Sequence, residues 1–196
     1  MNRLGKRIII IGSSNAGKST LGLQLAEHLQ ASFIELDALY WEPGWVAASD
    51  EVFRERVRCA IQSESWVMAG NYSRQQDISW PLVDTVIWLD LGLPTLLRRC
   101  TLRSWHRWRS RELLWGTNQE IFWKHLMLWN PDKSLLAFTA KNYRAKRRKL
   151  ESLTRNPEWK HINFVHLRSQ QEINSWRNAI LSTQPVEVGN TRKHEK

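Results

Sequence analysis

The chain has 196 residues, 42% of them hydrophobic and 24% charged, which suits one soluble α/β domain with a sizeable core. Its 29 basic and 19 acidic side chains leave a net charge of +10, so anionic partners such as nucleotides or nucleic acid are favoured. Two distant cysteines, Cys59 and Cys100, exclude a disulfide framework and a paired-cysteine zinc site, and the apolar run at residues 8–11 is too short for a signal-peptide core or a membrane span; a cytoplasmic protein is expected.

In chain order, residues 7–11 form a short β-branched run ending in glycine, which predicts a buried parallel strand. Residues 18–30 carry Leu21, Leu25 and Leu29 at helical spacing. A second strand is predicted over 32–36, a helix over 50–62 after the turn at Glu42-Pro43-Gly44, and a third strand over 66–69. A fourth strand over 84–91 leads past Pro94 into an arginine-rich helix running to about Trp108. Residues 118–130, with Phe122, Leu126 and Trp129 on one face, predict a helix, and 132–153 a further helix or helix pair. A last strand over 161–167 and a closing helix over 170–181 precede a polar tail, 183–196, expected to be flexible. Strands alternating with helices predict a three-layer α/β fold, with about five parallel strands covered on both faces. Most of the twelve tryptophans are expected to pack cores or helix contacts, including Trp105, Trp108, Trp115, Trp123 and Trp129 among the arginines.

Gly12-Ser13-Ser14-Asn15-Ala16-Gly17-Lys18-Ser19, followed by Thr20, fits G-x-x-x-x-G-K-[ST] between a strand and an amphipathic helix, the context a P-loop requires. Such a loop turns backbone N–H groups toward phosphate oxygens, adds the helix dipole, and brings Lys18 to the β and γ phosphates. Gly12 to Thr20 are therefore expected to bind ATP, with Ser19 as a magnesium ligand.

Several pieces together resemble the adenylate-kinase-like small P-loop kinases, especially bacterial proteins described as DNA topology modulation or adenylate-kinase-related proteins. They are the P-loop, Leu36-Asp37-Ala38-Leu39-Tyr40-Trp41 with Pro43-Gly44-Trp45, Trp66-Val67-Met68-Ala69-Gly70-Asn71-Tyr72, and Asp84-Thr85-Val86-Ile87-Trp88-Leu89-Asp90 with Leu97-Arg98-Arg99. The resemblance implies a kinase domain over 1–182, with an acceptor region at about 37–65 and a helical lid at about 98–141. It implies transfer of the ATP γ-phosphoryl to a small acceptor, a nucleotide or a nucleoside. Catalytic roles fall to Lys18, Asp37, Arg103 and Arg107, and acceptor binding to Asp37 and Arg74, the latter standing where related kinases hold an acceptor phosphate. Arg99, Arg103 and Arg107 recur every four residues, so they share a helical face suited to neutralising a triphosphate. The sequence departs from the family at Ala69, where an aspartate would hold magnesium through water. Either Asp37 or Asp90 takes that role, or transfer is weak.

Two other readings remain. A kinase of a metabolite hydroxyl rests on Asp37 at the carboxyl edge of the sheet. A nucleotide-dependent nucleic-acid-binding or regulatory protein rests on the charge and on the basic run Lys141, Arg144, Lys146, Arg147, Arg148, Lys149. Six histidines without an i, i+4 metal pair, and no serine on a nucleophile elbow, give hydrolase and zinc chemistry no support.

Overall fold

Four consecutive isoleucines, Ile8 to Ile11, can all be buried only in a strand covered on both faces, and that is where they lie. A computed structural model of the protein describes residues 4–110, 113–116, 118–119 and 134–183. In chain order the strands are β1 (Arg7–Gly12), β2 (Ser32–Glu35), β3 (Trp41–Glu42), β4 (Val46–Ala47), β5 (Trp66–Ala69), β6 (Thr85–Leu89), β7 (Leu113–Leu114), β8 (Asn118–Gln119) and β9 (Asn163–Leu167). The helices are α1 (Lys18–Leu29), α2 (Leu36–Tyr40), α3 (Asp50–Ala60), α4 (Gln76–Ser79), α5 (Leu93–Ser110), α6 (Leu135–Thr154) and α7 (Gln170–Leu181).

A five-stranded sheet runs in the order β2-β5-β1-β6-β9, every pairing parallel. Side chains of β1 alternate between its faces. Ile8 and Ile10 join Leu21 and Leu25 of α1 and Ile173 of α7, while Ile9 and Ile11 join Phe53 and Val57 of α3 and Leu150 of α6. The sheet is thus the middle of three layers, as expected. Trp66, Trp80, Trp88 and Trp159 are buried, in line with their expected packing role, whereas Trp105 and Trp108 on α5 are partly exposed. Both cysteines are free thiols.

Two sequence expectations change. The second strand stops at Glu35, so Asp37 sits in the first turn of α2 and not at the strand end. The helix predicted from residue 118 begins instead as β8, which pairs antiparallel with β7. Gly116, at φ 75°, turns the chain back on itself, and the Asn118 side chain bonds across to the Glu42–Trp45 turn, in keeping with an extended hairpin. Phe122, Leu126 and Trp129 of that prediction, together with Trp123, lie outside the described residues, as does the tail beyond residue 183. Among the described residues no helix is long and apolar enough to cross a membrane.

Candidate phosphate and acceptor site

α3, α6 and α7 each begin with a serine whose side chain caps the first turn. α1 does not: Gly17, at φ 95°, stands at its N-cap with no side-chain cap, which leaves the dipole and first-turn amides to a ligand. Gly12 ends β1 at φ 149°, and a Cβ there would lie 2.6 Å from the Leu89 carbonyl oxygen, so the turn demands glycine. The Asn71 side chain holds this peptide from both sides, accepting from Gly12 N at 3.0 Å and donating to Gly12 O at 2.6 Å. Asn15 adopts a left-handed backbone, φ 65°, and its side-chain amide is buried without a partner. An orphaned amide in a loop of this shape fits the oxygens of a polyphosphate. Lys18 Nζ donates to Ser13 O at 3.0 Å. Burial lowers its pKa to about 8, partly offset by the charges of Asp37 and Glu35.

The neighbouring strand carries an acid at the level of Ala69. In the parallel register Glu35 of β2 stands opposite Ala69 of β5, and it accepts a 2.6 Å hydrogen bond from Ser19 Oγ, the expected metal ligand. Its other oxygen accepts from the Trp115 indole at 3.2 Å. Sequence reasoning passed over Glu35 because it ends a short strand; the usable signal was an acid two positions before Asp37, on the edge where such sheets bind ligands. Asp37 Oδ1 accepts from the Tyr72 hydroxyl at 2.6 Å. Burial, and then the Asp37 charge, push the Tyr72 pKa well up, so Tyr72 stays a donor.

Asp90 does not stand in for the absent acid. Its carboxylate is 3% exposed, bonded to Arg147 at 2.9 Å and to His166 at 3.0 Å, and the His166 ring stacks on Trp88 at 4.0 Å. Asp90 fastens α6 to the sheet and is absent from the cavity wall. Among the described residues no group of three or more His, Cys, Asp or Glu side chains could enclose a metal alone. A magnesium ion here would rest on Ser19, Glu35 and the phosphates, an all-oxygen set that suits it.

P-loop and carboxylates share one cavity of about 1540 Å³. Of the expected loop residues, Gly12 and Ser14 to Thr20 line it, while Ser13 faces Lys18 through its carbonyl. Arg99, Arg103 and Arg107 line it from a single face of α5, and Arg99 also reaches Ala16 O at 3.2 Å. Arg74 is elsewhere: it pairs with Asp50 and lies over the Tyr40 ring, 5.8 Å from its centroid. The basic run of α6 is divided by the helical period. Lys146 and Lys149 line the cavity, Arg147 binds Asp90, and Lys141, Arg144 and Arg148 are exposed. Lys146, unnoticed as a site residue in the sequence, sits over the Phe138 ring at 4.5 Å. Burial lowers its pKa, opposed by the charge of Asp37.

A parallel sheet in this order, with a phosphate loop between its central strand and an uncapped helix, defines a three-layer P-loop nucleotide-binding fold. No family model matches the chain. A relative, the uncharacterized protein YqaC of Bacillus subtilis (strain 168), is 26% identical over 117 residues, which span 59% of this chain and 66% of that protein, just under two thirds of its length. Among solved structures, a gluconokinase from Sinorhizobium meliloti 1021 is similar at TM-score 0.45 and 17% identity, covering 92% of this chain and 95% of its own. A shikimate kinase from Bacteroides thetaiotaomicron gives 0.49 and 18%, covering 89% and 95%.

Proposed function

We propose that the protein is a magnesium-dependent phosphotransferase that moves the γ-phosphoryl group of ATP to a hydroxyl of a small acceptor. The observation that carries this reading is the pairing of Ser19 with Glu35 at 2.6 Å beside the P-loop, with Asp37 and Lys18 on the same cavity wall. Magnesium supplies charge neutralisation at the β and γ phosphates, and Ser19 and Glu35 are the groups to hold it. Lys18 and the loop amides bind the polyphosphate, and Arg103 and Arg107 neutralise charge that spreads over the oxygens in transfer. Asp37, fixed by Tyr72, orients the acceptor hydroxyl and takes its proton as the oxygen bonds the γ-phosphorus and the bridge to ADP breaks. Lys146, on the same cavity wall and within reach of the Asp37 charge, steadies the transferred group.

The Ala69 methyl does not disable such a site, because Glu35 occupies the neighbouring strand position. The nucleic-acid reading loses its main support with the division of the basic run, half of which is committed to the cavity or to Asp90. ADP release is expected to depend on magnesium and to rise with a hydroxyl-bearing acceptor. Asp37→Asn is expected to abolish that acceptor-dependent release while ATP titration stays unchanged; full turnover in the variant would refute the assignment.

A further inference from the structure

Glu35 is held at both of its oxygens. Ser19 Oγ donates to Oε1 at 2.6 Å, and the Trp115 indole N–H donates to Oε2 at 3.2 Å. The first bond comes from the phosphate loop, 16 residues along the chain, and the second from the turn between β7 and β8, 80 residues away. A glutamate side chain turns about several bonds. A carboxylate that must meet an ion in one orientation gives up that freedom on binding, unless a neighbour has already fixed it.

Trp115 makes this contact from a strained backbone. Its φ of 50° lies in the left-handed region, which a bulky side chain keeps only where its surroundings over-determine it. Gly116 follows at φ 75°, and β7 and β8 pair on either side of the turn. Trp115 meets Trp45 edge to face at 5.8 Å, and Trp45, also left-handed at φ 62°, meets Trp41 at 5.8 Å. The Asn118 side chain accepts from Trp45 N at 2.9 Å and donates to Glu42 O at 3.1 Å, which pins the hairpin to the Glu42–Trp45 turn. Core packing does not account for the arrangement. Trp66 and Trp159, which do pack the core, leave their indole nitrogens without a partner among the described residues, whereas the half-buried Trp115 lines the cavity and turns its N–H to a carboxylate.

We propose that Trp115 is a positioning residue for the metal carboxylate: its indole N–H holds Glu35 Oε2 so that Oε1 stays on Ser19, and the β7–β8 hairpin keeps that indole in place. The proposal rests on the phosphotransferase reading for the ion itself, whereas the bond between Trp115 and Glu35 does not. Trp115 acts through Glu35. The test is titration of the full chain with Mn²⁺, followed by its EPR signal, in the presence of a non-hydrolysable ATP analogue, for the wild type, Trp115→Phe, Glu35→Ala and the double variant. Trp115→Phe keeps a ring against Trp45 and removes the N–H. It is expected to weaken Mn²⁺ by about tenfold, the scale of losing the partner of a metal-binding group, with metal-free binding of the analogue unchanged. In the Glu35→Ala background the same substitution should cost nothing further, because its route to the ion is gone. A hairpin that merely supported the fold would cost the same in both backgrounds. The wild-type protein supplies a second readout, which holds even if Trp115→Phe fails to fold: the Trp115 indole ¹H–¹⁵N resonance is expected to shift when Mg²⁺ is added to the analogue complex. A folded Trp115→Phe protein with wild-type Mn²⁺ affinity, while Glu35→Ala weakens it, would overturn the positioning role alone, as would equal losses in both backgrounds or an indole resonance unmoved by Mg²⁺. Indifference of Glu35→Ala and Trp115→Phe alike would take Glu35 out of the metal site, and this proposal would fall together with the metal assignment of the phosphotransferase reading.

Discussion

At the scale of single residues, the proposed function gives Glu35 and Lys18 the phosphate end of the site. Glu35→Gln keeps a hydrogen-bond partner for Ser19 and Trp115 but removes the charge that an ion beside Ser19 would feel. The apparent magnesium affinity in the ADP-release assay is therefore expected to fall by about 10- to 100-fold, with metal-free ATP binding little affected. Burial, which disfavours the charged form, lowers the Lys18 pKa to about 8. Below that pH the ammonium is present and grips phosphate; above it the neutral amine does not. Triphosphate affinity should therefore decline as pH rises through about 8, with ATP binding taking up a proton on the alkaline side, which titrations in buffers of different ionisation enthalpy would detect. Lys18→Ala should bind weakly at every pH and lose that dependence.

Elements carry the next level, because the site is made of their ends. The turn from β1 into the phosphate loop fits only if nothing projects from Gly12, whose place beside Leu89 O admits no Cβ. Gly12→Ala must push β6 aside or distort the loop, at a cost of about 1–3 kcal/mol from overpacking, and a depressed melting temperature together with lost ATP binding is expected. The same logic explains why Asn71 was invisible in the sequence. It reads as a loop residue after β5, and only the parallel pairing of β5 with β1 brings its amide to the Gly12 peptide. Arg99, Arg103 and Arg107 were legible because one α-helix sets their common face by its period alone.

Across the whole molecule, one buried carboxylate couples the sheet to the cavity. Asp90, at the end of β6, binds His166 of β9 and Arg147 of α6, and Arg147 is the immediate neighbour of Lys146. Asp90→Asn would leave the guanidinium without its counter-charge and loosen α6 against the sheet. A loss of about 2 kcal/mol in denaturant unfolding is expected, the scale of a hydrogen bond to a charged group. Turnover should fall with it through displacement of Lys146, although Asp90 is not on the cavity wall. Unchanged stability in that variant would mean that α6 is held by its apolar stripe, Leu150 included, and not by the ion pair.

By itself the sequence determined whatever depends on short-range order. The apolar run of β1, the glycines and lysine of the loop, and the leucine spacing of α1 set a strand, a glycine turn and a helix within about twenty consecutive positions, so local geometry sufficed to read them. The parallel α/β class followed from the alternation of such segments. Which carboxylate meets Ser19 was settled by tertiary contacts, since Glu35, Asp37 and Asp90 differ in sheet register and partners, not in local pattern. Such contacts likewise turned Arg74 toward Asp50, split the basic run between cavity and surface, and brought Trp45 and Trp115, 70 positions apart, edge to face. Those outcomes depend on contacts between distant segments, and a spacing rule has no term for them.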